Sequence, residues 1–368
     1  MPSVPSHRTR LLRRAFFLAL FFLLSACIFF LSPFPFSTPP CCTAVQYSTG
    51  RWVPKDPPVT GNTSVVDVLE ASGFQGCTQE WFKPFWFLGT KEEDWRGMGE
   101  YRWRAAQWMW ESEEEVCREE IRRPGQLELL RQLVEDGGWL LLGDSLSEQH
   151  FFELGCTLYP HVDVQFGVSW WEQYMFLKPT SPLLVNLTLP ANFSLTSTPL
   201  VTNLRSDHGF PASELVSIYA STPSASDLPP SQLLTDYPVQ SPSSAEYLDR
   251  FFSRDGNYTL RSDSSSNPGA ERYSTLIFST GAHFTTREFA LPRGEDGMLS
   301  FFGAIAAEWA RTAAEYLEQD TLGRRIFVRS ATSGHDRCHE AEGPFEEESP
   351  EPEGYNWAQI PGMNDIFE

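Results

Sequence analysis

Past its first 14 residues the sequence has no cluster of Lys and Arg, and 48 Asp and Glu outnumber 28 Lys and Arg, for a net charge of -20. Nucleic-acid phosphates are held by clustered cations, so this balance argues against a nucleic-acid partner and favours a neutral, hydroxyl-rich substrate. No G-x-S-x-G elbow is present, which sets aside an ordinary α/β-hydrolase. H-E-x-x-H and paired C-x-x-C are missing as well, so no metal site is expected. There is no internal repeat, and the long apolar run is confined to one place.

That run opens what is there. A basic stretch, His7 to Arg14, closes a tail of residues 1–14 and precedes Ala15 to Leu31, which is apolar but for Ser25, followed by a Pro-rich stem at 32–40. A bilayer is crossed by roughly 17 to 25 apolar residues, and arginines before the span hold the N-terminus in the cytoplasm. A cleaved signal peptide is the rival reading, but its apolar core is usually roughly 7 to 15 residues and no small-x-small cleavage site follows here. A single-pass type II membrane protein with its bulk in the lumen is therefore expected. Cys27 lies in the span, which leaves an even six, Cys41, Cys42, Cys77, Cys117, Cys156 and Cys338, suited to an oxidising compartment and open in their pairing. Asn62, Asn186, Asn192 and Asn257 head N-glycan acceptor triplets.

With 41% hydrophobic and 14% aromatic residues, the rest can bury a substantial core. Residues 41–123 are rich in Cys and Trp ("GRWV", "EWFKPFWFLGT", "YRWRAAQWMWE"). Those rings either stack on sugar faces or form the core of a small disulfide-pinned subdomain, and the core is the favoured reading. From 124 to 368 helix and strand patterns alternate. "GQLELLRQLVED" and "LSEQHFFELGCTL" have helical spacing around the apolar run "WLLLGDS"; "RYSTLIFSTGAH" and "RRIFVRSATSGH" are further strands on either side of the amphipathic "MLSFFGAIAAEWARTAAEYLEQ". The syntax is α/β, with a parallel sheet. The Ser/Pro-rich stretch 221–244 reads as an exposed insertion. The seven glutamates between Glu340 and Glu353 read as a solvated loop without the ligand spacing of a calcium site.

All three strands end in small polar residues: Gly143-Asp144-Ser145, Ser279-Thr280-Gly281-Ala282-His283, and Ser330 through His335. In a parallel sheet the carboxyl ends of the strands share one edge, where ligands bind. Ser145, at the start of a helix, can be a nucleophile whose oxyanion is met by unpaired first-turn amides. It can equally be a helix cap, a role for which Asp144 and Ser147 compete. His335-Asp336-x-Cys338-His339 has adjacent ligand types that rarely converge on a metal, and Cys338 suits a disulfide better.

"GDSLSEQHFFELGCTL" (143–158), behind the aromatic block and one membrane anchor, resembles the trichome-birefringence-like / PC-esterase family of the GDSL (SGNH) hydrolase superfamily, its fungal members in particular. The likeness continues through "NLRSDHGF", "LIFSTGAHF", "FVRSATSGHDRCHE" and "YNWAQIPGMNDIFE", and so spans most of the chain after residue 41. It implies a three-layer α/β/α SGNH-like domain in the Golgi or secretory pathway. There a serine acyl-enzyme would move acetyl groups to polysaccharide or glycan hydroxyls, or remove them, with acetyl-CoA or a relayed acetyl group as donor and no cofactor bound. Ser145 would be the nucleophile, with Gly143 and Asp144 in its block. Ser279 stands where the family usually has an Asn oxyanion donor, although a hydroxyl still donates one hydrogen bond. Gly281 would line the same site, and Arg205 matches a basic position near it, where a structural ion pair with Asp207 is the alternative. The resemblance also implies a C-terminal Asp-x-x-His supplying the base, and none occurs after residue 338. On that reading either the sequence is a fragment or mis-predicted, or another histidine serves, His283 and His335 being the strand-end candidates. The functions to weigh are O-acetyltransferase, acetylesterase, and an inactive glycan-binding scaffold.

Overall fold

The computed structural model describes residues 42–56, 58, 73–77, 107–120, 125–167, 172–223, 228–235, 239, 241–253, 272–286, 288–291, 295–332 and 356–367. The anchor and stem, Asn62, Asn257, Cys41, His335, Cys338, most of the aromatic block and the acidic stretch lie outside them. Among the described residues no helix is long and apolar enough to cross a membrane.

Two compact units are present, and they do not divide the chain at a single point near residue 124. Residues 42–53 and 110–120 form the smaller one. It holds helix α1 (Ala44–Ser48), strands β1 (Gly50–Pro54) and β2 (Trp108–Ser112) of a two-stranded sheet, and helix α2 (Glu115–Glu120). The Cys42–Cys117 disulfide ties its two chain segments together. Trp110 donates from Nε1 to the Tyr47 carbonyl at 2.9 Å and meets Trp52 edge-on. Trp52 nevertheless remains 53% exposed, so the core expected of this block does not enclose it.

The larger unit is a mixed α/β domain around a mostly parallel six-stranded sheet in the order β4-β5-β6-β3-β7-β8. Its elements are α3 (Gln126–Arg131), β3 (Gly138–Gly143), α4 (Ser145–Thr157), β4 (Val162–Phe166), β5 (Glu172–Leu177), β6 (Val201–Arg205), α5 (Ala212–Ala220), α6 (Ser244–Phe252), β7 (Tyr273–Ser279), α7 (Ser300–Gln319), β8 (Arg325–Val328) and α8 (Ile360–Asp365). β6, β3, β7 and β8 are mutually parallel, and β5 runs antiparallel to both of its neighbours.

The central strands are apolar because both of their faces are covered. Leu141 packs with Leu129 and Leu130 of α3 and Phe151, Phe152 and Leu154 of α4 on one face. Leu140 and Leu142 pack on the other with α5, α6 and α7, represented by Tyr219, Tyr247 and Phe302. The result is helix layers on both sides of the sheet. A second disulfide, Cys77–Cys156, pins residues 73–77 to the end of α4.

The described part of the Ser/Pro-rich stretch is largely exposed or half-buried, as its composition suggests, but it is anchored at one point. Leu233 is fully buried, Leu234 bridges to Phe289, and the Thr235 amide donates to the Glu288 carbonyl at 2.9 Å. Leu233, with the partly buried Leu234 beside it, supplies an anchor that the composition conceals.

Candidate active site

Strand β3 ends at Gly143, which pairs in register with Arg205 of β6 on one side and Ser279 of β7 on the other. Val328 of β8 lies opposite Phe278, so Arg329 continues to the same edge. From β3 the chain runs to the edge strand β4, returns inward through β5 to β6 beside β3, and then crosses to β7 and β8 on the other side. β3 is therefore the point where strand order reverses, the place at which open α/β sheets form their ligand crevice. The loops expected to converge do so as far as they are described.

Gly143 has no room for a side chain: a Cβ there would collide with the Ser279 carbonyl and the Ser147 hydroxyl. Asp144, rather than either serine, caps α4, its Oδ1 accepting from the Leu146 amide at 2.9 Å. Its other oxygen is buried without a partner among the described residues, and burial raises its pKa above 3.8, against the pull of the Leu146 amide and of His283. Ser145 is the first residue of the helix. The Ser147 and Glu148 amides are taken by the Asp144 carbonyl, at 3.0 and 3.2 Å. That narrows the amides available to an oxyanion, since only the Ser145 N–H of this first turn has no acceptor among the described residues. Alternation along β7 puts Ser279 on the α4 face, opposite to Phe278, and its hydroxyl is buried with no partner among the described residues. An amide and a hydroxyl thus flank the start of α4. Gly281, at φ 152°, turns the chain, and a Cβ there would press on Ala331 and Ile360.

Around this edge runs a chain of polar contacts. Asn203 donates to Gln173 at 2.5 Å, and Gln173 donates to Glu148 at 2.7 Å. Arg205 lies 3.5 Å from Glu148 and donates from Nε to Asp207 at 2.9 Å. This is the ion-pair alternative for Arg205, extended to a second carboxylate. Asp207 Oδ1 is 3.7 Å from His283 Nε2, and His283 Nδ1 is 3.2 Å from Glu288 Oε1. Glu288 Oε2 in turn lies 3.0 Å from His208 Nε2, although the ring is not aligned for a hydrogen bond. Burial alone would raise the Glu288 pKa; the two imidazoles beside it reverse that and hold it at about 2. Burial alone would lower the His283 pKa; the Glu288 hydrogen bond and the charges of Asp207 and Asp144 bring it above 6.5.

Arg329 presents two buried guanidinium nitrogens with no partner among the described residues, within electrostatic reach of Asp144 and Glu153. Burial and Arg329 push His150 of α4 down to about 4, so it is neutral at physiological pH. His161 belongs to the opposite edge, before β4, where it meets Ser181 at 3.0 Å. No group of three or more His, Cys, Asp or Glu among the described residues is arranged to hold a metal ion. Asn186 and Asn192 are both exposed, as glycan acceptors must be.

Asp207, His208, Glu288 and Arg329 were not singled out from sequence as site residues. Asp207 and His208 follow β6 directly, and a charged pair just past a strand end is a signal that could have found them. Nothing local marks Glu288, whose importance comes from the two histidines folded against it. Comparison of the chain with protein-family models, with curated proteins and with solved structures finds no match.

Proposed function

We propose that this chain is an SGNH-type O-acyltransferase of cell-wall or cell-surface glycans, acting through an acyl-enzyme on Ser145. One observation carries the reading: Ser145 opens α4 at the carboxyl end of the central strand, at the reversal of strand order, beside an amide and a buried hydroxyl with no other described partner. Such donors, held in place by the fold, suit an oxyanion that forms only during reaction. In this reading Ser145 Oγ attacks the acetyl carbonyl of acetyl-CoA or another acetyl donor, and a sugar hydroxyl then takes the acetyl group. Water in place of the sugar makes the same site an acetylesterase. Two disulfides and two exposed acceptor asparagines support a lumenal setting behind an N-terminal anchor.

The test is labelling of the full chain in detergent by a fluorophosphonate probe, followed by mass-spectrometric mapping. Modification at Ser145, lost in Ser145→Ala, is expected. Folded wild-type protein that never labels would sink the acyl-enzyme reading and leave a glycan-binding scaffold. Incubation with an acetyl donor and a glycan then separates acetylated glycan from released acetate.

A further inference from the structure

The geometry points to His283, oriented by Glu288, as the proton acceptor for Ser145; the inference rests on the acyl-enzyme reading and supplies its base. Four histidines are described, and three are poorly placed. His161 is at the far edge of the sheet, and His150 is held neutral on the flank of α4 beside Arg329. His208 is fully buried, packed edge-on against Phe284 at 5.0 Å and Phe289 at 5.2 Å. His283 stands at the carboxyl edge, four residues beyond the Ser279 that pairs with Gly143, and its charge is felt by Asp144, the residue preceding Ser145.

A general base needs a lone pair on the nitrogen facing its target and a fixed ring. The 3.2 Å approach of Nδ1 to Glu288 fixes that tautomer, with the proton on Nδ1 and the lone pair on Nε2. Nε2 is on the side of Asp207, at 3.7 Å, a distance beyond a hydrogen bond. The second oxygen of Glu288 lies 3.0 Å from His208 Nε2, and the Thr235 amide and hydroxyl grip the Glu288 carbonyl at 2.9 and 3.2 Å. The Ser/Pro-rich stretch, anchored by the buried Leu233, therefore braces the residue that carries the orienting carboxylate. The groups facing His283 are Glu288 from its own loop, Asp207 after β6 and Asp144 after β3, with Arg205 on Asp207 as the next charge and the titratable His208 ring beside Glu288.

In the step itself the Ser145 hydroxyl proton passes to His283 Nε2 while Oγ bonds to the acyl carbon and the carbonyl π pair moves to oxygen. Collapse breaks the bond to the leaving group, which takes the proton from His283. The acceptor hydroxyl then repeats both moves in reverse. Glu288 touches no reacting atom and is a positioning residue.

The experiment measures the rate of Ser145 phosphonylation against pH in the full chain, with folding checked by near-ultraviolet circular dichroism. Wild type is expected to label along a sigmoid rising with pH, with its inflection above 6.5. His283→Gln is expected to slow labelling by about 100-fold or more. Glu288→Gln is expected to slow it and move the inflection to lower pH, with Glu288→Asp restoring part of both. If His283→Gln does not fold, the wild-type profile decides, a flat profile from pH 5 to 9 overturning the proposal. A folded His283→Gln that labels at the wild-type rate, or a Glu288→Gln that loses only stability, overturns it while leaving Ser145 as nucleophile. A folded wild type that never labels overturns both.

Discussion

Asp144 decides what its neighbour can do. By taking the Leu146 amide on its side chain, and two further amides on its carbonyl, it closes the helix start and leaves Ser145 outside the capping pattern. A serine needed as a cap would have its oxygen occupied. Asp144→Ala is expected to cost about 1 kcal/mol of stability, the usual value of an N-cap, and Asp144→Asn much less, because the amide oxygen still accepts. The two variants also separate by pH. The folded carboxyl has its pKa raised by burial, so its contribution to stability is fully present below 3.8 and is lost as pH rises through the folded value. Asp144→Asn should gain on wild type between pH 3 and pH 7 in urea denaturation, and an unchanged difference would contradict the burial argument. Among the site residues, Gly143, Ser145 and Ser279 were legible from small polar residues at strand ends. The partners of Arg205 were half legible, since Asp207 is two residues away whereas Glu148 reaches it only through the fold.

At the level of elements, α8 holds the strand edge in place. Asn364 accepts from the Ala331 amide at 2.9 Å and donates to the Ala331 carbonyl at 3.0 Å, while Ile360 and Met363 enter the apolar layer over β7. This clamps the loop that carries Arg329 against Gly281. Asn364→Ala is expected to lower stability by about 1 to 3 kcal/mol, because both backbone groups lose partners in a half-buried position. A loss below about 0.5 kcal/mol in denaturant titration would show that water replaces the side chain at no cost. Sequence periodicity located α3, α4 and α7 and the strands β3, β7 and β8, whose apolar faces repeat cleanly. It did not locate β4, β5 or β6. The segment Glu172-Gln173-Tyr174 reads as polar, yet Gln173 is fully buried because Glu148 and Asn203 satisfy its amide. Likewise Arg250 of α6 is buried because Glu172 and Tyr174 receive its guanidinium. Partners supplied from other elements cannot be read from a local pattern.

For the molecule as a whole, the α/β class and the edge on which the site forms follow from the order of strands and helices, and the disulfides follow from an even set of cysteines. The Cys77–Cys156 bridge closes a separation of 79 residues, for which chain entropy gives about 4 kcal/mol. Cys77→Ser with Cys156→Ser is expected to lose about that much against wild type in urea denaturation without reductant; a loss under about 1 kcal/mol would mean that the unfolded chain is already constrained there. The sequence by itself determined that β3 and β7 are buried strands, where the helix behind Ser145 begins and which residue types stand at the sheet edge, because apolar periodicity and helix starts are local properties. Only the tertiary structure decided that Asp144 is the cap, that Glu288 lies between His208 and His283, and that a Ser/Pro-rich stretch braces it. The physical reason is that ionisable side chains take their protonation, orientation and partners from groups brought near by folding, which distance along the chain does not record.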